Sequence, residues 1–340
     1  MNPPVALTIA GTDSGGAAGT AADLATFAAL GVHGACVITA VTAQDTTGVS
    51  DIHAVPLATV EAQLRAVFDD LPVAAVKTGM LGSAEVVELV ARLCADRLLV
   101  VDPVLVATSG AVLGGEDVRR AYLDHLLPVA TVVTPNLDEA RALLGHDGSP
   151  RQVAEELATA LAGRAAGAAR RRRVETNTVP SSGIADRVGL DTLAGARGST
   201  SGATGGSTSG ATGGSTSGAT GGSTGGSTGG STSGATGGST SGATVIVTGG
   251  DPAATGSCTD WLAEPGKPPI PLTHPAVPTK NDHGTGCTYS SALAAHLAHG
   301  ASLREAAEQA AAYVTRQLRT SKTWSLGRGR GPIAHTKETR

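Results

Sequence analysis

The sequence predicts a doubly wound α/β fold, a mainly parallel sheet flanked by helices. Three observations predict it. Short apolar, β-branched runs recur at residues 5–10, 35–41, 73–76, 98–101, 131–134 and 245–248. Most are continuous rather than alternating, as strands buried on both faces read. Helical stripes fall between them, which is the alternation of a crossover-connected parallel sheet. The glycine-rich and polar segments follow the strand ends, where such sheets bind their ligands.

Taken in order, the first run leads into Ala10-Gly11-Thr12-Asp13-Ser14-Gly15-Gly16-Ala17-Ala18-Gly19. Glycines there let backbone approach a ligand without interference from Cβ atoms, although a tight strand–helix connection needs them too. The turn is neither a P-loop, which requires Gly-Lys-Ser/Thr, nor a dinucleotide fingerprint. Leu24, Phe27 and Leu30 form the next helical stripe and stop at Gly31; Asp23 lies in its first turns, where an acid also complements the helix dipole. Gln44 follows the second run in a polar segment. Its carboxamide offers donors and an acceptor suited to the edge of an aminopyrimidine, or stands in an exposed loop. Val60, Leu64, Val67, Phe68 and Leu71 make a second stripe. Val86, Leu89, Val90, Leu93 and Cys94 make a third, behind an N-cap at Ser83.

Asp102-Pro103-Val104 and Thr134-Pro135-Asn136-Leu137-Asp138-Glu139 follow the fourth and fifth runs. Acids at strand ends can hold Mg²⁺ beside phosphate and water ligands. For Glu139 a second reading stands beside this one, because Asn136-x-x-Glu139 also has the spacing of a capping box.

Residues 167–244 differ in kind. They open with Arg170 to Arg173 and pass into near-copies of Ser-Thr-Ser-Gly-Ala-Thr-Gly-Gly. This composition buries too little apolar surface to offset chain entropy, so a long, largely disordered insertion is expected. A strand signal resumes after it, so residues 1–166 and 245–335 are read as one domain and the insertion as a loop out of it. A tether or interaction segment is the other reading of the repeat. Beyond it, residues 259–278 predict a hairpin with a Pro265-Gly266 turn. Alanine-rich helices are expected at 288–299 and 303–318, parted by Gly300, and the basic, glycine-rich tail from Gly327 is read as loosely ordered.

The turn Asn281-Asp282-His283-Gly284-Thr285-Gly286-Cys287-Thr288 precedes the first of those helices. A Gly-x-Gly turn opening a helix aims free N–H groups and the positive end of the dipole at one point, which suits an anion. A thiol at that point could meet a hydroxyl nucleophile, and a helix N-terminus can lower a thiol's pKa.

Composition sets bounds. A net charge of −4 over 340 residues carries no electrostatic footprint for nucleic acid or a membrane surface. The four cysteines, Cys36, Cys94, Cys258 and Cys287, lack metal-like C-x-x-C spacing, and Cys36 and Cys94 read as buried thiols. No signal peptide or membrane-length apolar run is seen, so a cytoplasmic protein is expected.

Together these motifs resemble the hydroxymethylpyrimidine/phosphomethylpyrimidine kinases of thiamine biosynthesis, in the ribokinase-like superfamily. The resemblance rests on Leu7 to Gly16, Ala22-Asp23-Leu24, Val37-Ile38-Thr39-Ala40 with Ala43-Gln44, Lys77-Thr78-Gly79-Met80-Leu81, Val101-Asp102-Pro103-Val104, Thr134-Pro135-Asn136-Leu137, His283 to Thr288 and Gly329 to Ile333. It departs at Ala17 and Ala25, where that family commonly has glycine and lysine. The resemblance implies an ATP- and Mg²⁺-dependent phosphotransferase acting on the hydroxymethylpyrimidine and its monophosphate. It implies that Gln44, Asp23, Gly11 and Met80 form the pyrimidine pocket, and that Cys287 stands as base or near-base within the Gly284, Thr285, Gly286 anion turn. It further implies Asn136, Thr248, Gly249 and Gly250 beside the nucleotide, Asp102 and Glu139 for Mg²⁺, a homodimer, and room for a monovalent cation. Pyridoxal kinase is the nearest alternative activity, and a ligand-binding relative without turnover is the alternative from another class.

Overall fold

The computed structural model describes residues 2–105, 114–177, 242–249 and 256–335, with the backbone alone for 170–177. Most of the expected insertion and Gly250 lie outside the described residues.

The elements run β1 (Val5–Ala10), α1 (Gly19–Ala29), β2 (His33–Ile38), β3 (Ala40–Asp45), β4 (Gly48–Ala54), α2 (Leu57–Asp70), β5 (Val73–Thr78), α3 (Ala84–Cys94) and β6 (Leu99–Val101). There follow α4 (Glu116–Ala121) with a π-helical turn over Tyr122–Leu126, β7 (Val132–Val133), α5 (Leu137–Leu144), α6 (Pro150–Asn177) and β8 (Thr244–Val247). The chain then forms β9 (Ser257–Ala263), β10 (Ile270–Pro275), α7 (Thr285–Ala298) and α8 (Leu303–Ser321). Ser83 caps α3 by accepting from the Val86 N–H, as its sequence position predicts.

One eight-stranded sheet has the order β10-β9-β8-β7-β6-β5-β1-β2. From β2 to β8 every pairing is parallel, and β9 and β10 add antiparallel to the edge. Alternate residues of the continuous apolar strands serve different layers. Leu7, Ile9, Val76, Val101, Val133 and Val247 join the core under α2 to α6. Ala6, Ala75, Val100, Val132 and Ile246 join the core under α1, α7 and α8. Burial on both faces accounts for the absence of period-two alternation.

Three expectations are corrected. The run at 35–41 is not one strand. It breaks at Thr39, whose hydroxyl donates to Met80 O at 2.7 Å, and the chain turns out of the main sheet into the β3–β4 hairpin, which forms a sheet of its own. Polar Thr42, Gln44, Ser50 and Asp51 kept that hairpin from reading as strand. Helix α6 continues to Asn177, past the expected start of the insertion, because Ala and Arg propagate a helix once it has begun. Within the described residues, the tail from Gly327 is packed rather than loose: Ile333 and Ala334 are buried, and Arg328 donates to Asp45 Oδ2 at 2.9 Å.

Candidate active site

Two glycine-rich turns, one after β1 and one before α7, meet beyond the carboxyl ends of the parallel strands. Gly284 is the N-cap of α7 with φ 88°, and a Cβ there would lie 1.7 Å from Ala17 O. Both the left-handed backbone and the contact demand glycine. At Gly286 a Cβ would meet nothing within 4 Å, and the residue is exposed. The first turn of α7 therefore opens to the outside, and its N–H groups have no intrahelical acceptor. Thr285 turns its hydroxyl back to Asp282 O at 2.6 Å, so it shapes the turn.

Below this opening lies a buried charge cluster. Lys77, on β5, is fully buried, and its Nζ donates to both carboxylate oxygens of Asp23 at 2.8 and 2.9 Å. The same Nζ lies 3.9 Å from Asp102 Oδ2. Thr8 Oγ1 donates to Asp23 Oδ2 at 2.6 Å, Ser291 Oγ to Asp23 Oδ1 at 2.6 Å and Ser290 Oγ to Asp102 Oδ2 at 3.0 Å. Burial alone would push the Lys77 ammonium down, but the charges of Asp23 and Asp102 and the Asp23 hydrogen bond reverse this and hold it above the ordinary lysine range. Asp23 thus sits beneath the site rather than in its lining. It is fully buried, and its two oxygens are taken by Lys77, Thr8 and Ser291, because α1 turns this position toward the sheet's one buried ammonium among the described residues.

Cys287 is partly exposed beside the cluster. Its thiol is pushed up to about 12, by burial first and then by Asp102 and Asp23, with Lys77 and the Gly19 N–H acting the other way. The lowering that a helix terminus can give is not realised here: desolvation and two nearby carboxylates outweigh the favourable charges.

Asp102 and Glu139 are both buried. Burial raises each carboxyl, and the Asp102 charge raises Glu139 further, while Lys77 and Ser290 restrain Asp102. Two desolvated hard-oxygen donors that destabilise one another's charge fit a divalent cation such as Mg²⁺. The capping reading of Glu139 is also realised. Its Oε2 accepts from Asn136 N at 3.0 Å while Asn136 Oδ1 accepts from Glu139 N at 2.8 Å.

Across the opening, the β3–β4 hairpin carries Gln44. Its backbone is clasped to Ser14, whose hydroxyl donates to Gln44 O at 2.7 Å and accepts from Gln44 N at 2.8 Å. Its Nε2 lies 3.2 Å from His283 Nε2, and His283 lies 3.4 Å from Asp13 Oδ2. Asp13 in turn accepts the N–H groups of Gly15, Ala17 and Ala18. Met80 packs against Gly11 so closely that a Cβ on Gly11 would come 2.4 Å from Met80 Cε. An open cleft of about 460 Å³, lined among others by Ser14, Gln44, Asp45 and Thr47, borders this hairpin.

At the far side, Asn136 and Thr248 form a parallel bridge at the ends of β7 and β8. Gly249 N donates to Asp260 Oδ1 at 2.9 Å. The structure thus brings Gly284, Thr285, Gly286, Cys287 and Asp102 together over Lys77, sets Gln44, Gly11 and Met80 along one wall, and pairs Asn136 with Thr248, next to Gly249. Sequence reading missed Lys77 as a site residue, as well as Asp13, His283, Ser290 and Ser291. One signal was available: a lysine inside the apolar strand Val-Ala-Ala-Val-Lys-Thr is a residue seldom buried without a partner.

Comparison with known proteins adds the following. A family model described as phosphomethylpyrimidine kinase matches residues 13–169 and 238–334. The chain is 36% identical over 339 residues to a hydroxymethylpyrimidine/phosphomethylpyrimidine kinase of Synechococcus elongatus, covering 98% of each chain. It is 37% identical to part of the thiamine biosynthesis bifunctional protein ThiED of Geobacter sulfurreducens, over 97% of this chain and 51% of that one. Among solved structures it is similar to an ADP complex of Bacillus subtilis pyridoxal kinase, with a TM-score of 0.67 and 26% identity over 98% of this chain and 97% of the other.

Proposed function

The chain belongs to the phosphomethylpyrimidine kinase family, and we propose that it transfers the γ-phosphoryl group of ATP to 4-amino-5-hydroxymethyl-2-methylpyrimidine and then to its monophosphate, in thiamine biosynthesis. The observation that carries this reading is the opening of α7. Gly284 locks the turn against Ala17, Gly286 leaves the helix N-terminus open, and Gln44 stands over the same turn through His283.

In this reading Gln44 holds the aminopyrimidine edge and Gly11 and Met80 form its floor. Asn136, Thr248, Gly249 and Gly250 flank the nucleotide. The pyrimidine's hydroxymethyl oxygen attacks the γ-phosphorus while the bond to the ADP oxygen breaks, and the hydroxyl proton leaves once its oxygen is bonded. The transition state is loose, so charge on the equatorial oxygens matters more than early proton removal. The N–H groups of Gly286 and Cys287 and the dipole of α7 stabilise that charge. Cys287, whose thiol resists ionisation, orients the hydroxymethyl group, and the proton departs on the transferred phosphoryl group. Lys77 and Asp23 act through their neighbours: Lys77 restrains the rise of the Asp102 carboxyl, and Asp23 holds α7 in place through Ser291. Asp102 and Glu139 would hold Mg²⁺, which supplies charge neutralisation between phosphate oxygens. A cytoplasmic homodimer belongs to the same reading. It is supported by the family resemblance and by Val41 and Ile52, apolar residues half exposed on the hairpin.

A second activity is favoured by the likeness to pyridoxal kinase, and one experiment separates the two. Purified protein is assayed with ATP, Mg²⁺ and either pyrimidine substrate or pyridoxal, in potassium and in sodium salts. Turnover of both pyrimidines is expected, with KM raised at least tenfold by Gln44→Ala. Cys287→Ser should retain more activity than Cys287→Ala if the side chain orients rather than abstracts. Faster turnover of pyridoxal than of either pyrimidine would overturn the substrate assignment.

A further inference from the structure

At the antiparallel edge of the sheet, three side chains of different chemistry that the proposed mechanism does not use converge. Cys258 and Asp260 are two residues apart on β9, so they project to the same face. His274 on β10 is the direct cross-strand partner of Cys258. A sulfur, a carboxylate oxygen and an imidazole nitrogen from these residues all lie within 4.8 Å of one another. His274 Nε2 is 3.2 Å from Asp260 Oδ2, and Cys258 interacts with the same imidazole. Asp260 is buried, while Cys258 and His274 are reached by solvent.

We propose that Cys258, Asp260 and His274 bind a borderline-soft divalent metal ion of the Zn²⁺ class. Three considerations carry this. The donors are one thiolate, one imidazole and one carboxylate, the mixture that suits Zn²⁺ and not Mg²⁺. Their charges, −1, 0 and −1 when ligating, neutralise a +2 ion. They come from a hairpin whose register is fixed by six paired positions, so the site is preformed, and partial exposure gives an entry path and a fourth position for water.

The alternative is a hydrogen-bonded cluster of Cys258, His274 and Asp260 that holds no ion. That reading leaves His274 Nδ1 buried without a partner. Metal binding would displace protons from the imidazole and the thiol and bind both strands and Asp260 into one unit. The other carboxylate oxygen of Asp260 holds the Gly249 N–H. The ion would therefore fix the end of β8 as well as the hairpin.

The test uses the full chain stripped of metal with a chelator, then titrated with Co²⁺ alone. A thiolate-to-cobalt charge-transfer band is expected, saturating at one ion per chain and displaced by Zn²⁺. Cys258→Ser should abolish it and His274→Gln should weaken Co²⁺ binding at least tenfold, each with an unchanged circular dichroism spectrum. Because Cys287 lies near Asp102, Cys287→Ser is the decisive control, and it should leave the band intact. The proposal is overturned by a band that survives Cys258→Ser, by one that disappears with Cys287→Ser, or by no band at all in the folded wild-type chain.

Discussion

Replacing Lys77 with methionine removes the ammonium that Asp23 requires while keeping side-chain length. In the folded chain Nζ makes two charge-assisted hydrogen bonds, at 2.8 and 2.9 Å, with both side chains fully buried. Removing one member of such a pair leaves a desolvated charge and costs about 3–5 kcal/mol. For a domain of this size each kcal/mol lowers Tm by about 2–4 °C, so Lys77→Met should melt roughly 6–20 °C below wild type. The decisive comparison is a double-mutant cycle with Asp23→Asn, which removes the carboxylate charge yet leaves an oxygen for one of the two hydroxyls, Thr8 or Ser291. Urea unfolding of the four proteins at neutral pH gives the coupling energy. The double variant should recover on the order of 0.5–3 kcal/mol of the summed losses, the range for contacting residues. Losses that simply add, to within about 0.5 kcal/mol, would refute the claim that this ion pair organises the floor of the site. The kinetic consequence runs in parallel. Without Lys77 the Asp102 carboxyl loses the main charge restraining its rise, and kcat should fall more than KM changes.

Two further outcomes are expected. Gly286→Ala should fold as stably as wild type, since its Cβ meets nothing, yet lose at least tenfold in kcat, whereas Gly284→Ala should lower both soluble yield and Tm because its Cβ strikes Ala17 O; equal effects of the two on stability would remove the distinction drawn between a locked and an open end of the turn. Asp13 is buried, which would raise its carboxyl, but His283 and the Gly15 and Ala18 N–H groups hold it below the ordinary 3.8. A depressed folded pKa gives stability that is present above 3.8 and is lost as pH falls through the lower folded value. Asp13→Asn should therefore narrow its Tm gap to wild type in that acid window, and a gap that stays constant from pH 7 to about pH 2 would contradict the assignment.

What could be read in the sequence, and what could not, divides along the range of the interactions involved. β1 was legible to the residue, and α3 with its Ser83 cap followed from spacing, because a continuous apolar strand and a helical stripe are properties of neighbouring residues. The α7 turn was legible for the same reason: Gly284, Gly286 and Cys287 make their opening within one turn of chain. The β3–β4 hairpin escaped because its strands pair with each other outside the main sheet and carry polar residues on positions that a core strand would fill with Val or Ile. Asp23 was misplaced, and Lys77 passed over, by a different route. Their partnership spans 54 positions and exists only because β5 lies beside β1 and α1 packs over β1, so sequence spacing held no sign of it. The same reasoning accounts for the thiol. Position at a helix start argues for an acidic Cys287, but its pKa is set by what the fold stacks beneath it, namely two carboxylates, one ammonium and little water. Phosphoryl transfer tolerates that outcome because the work lies in holding charge on the moving group, and in the proposed mechanism the open N–H groups of α7 do this whether or not the neighbouring sulfur is ionised.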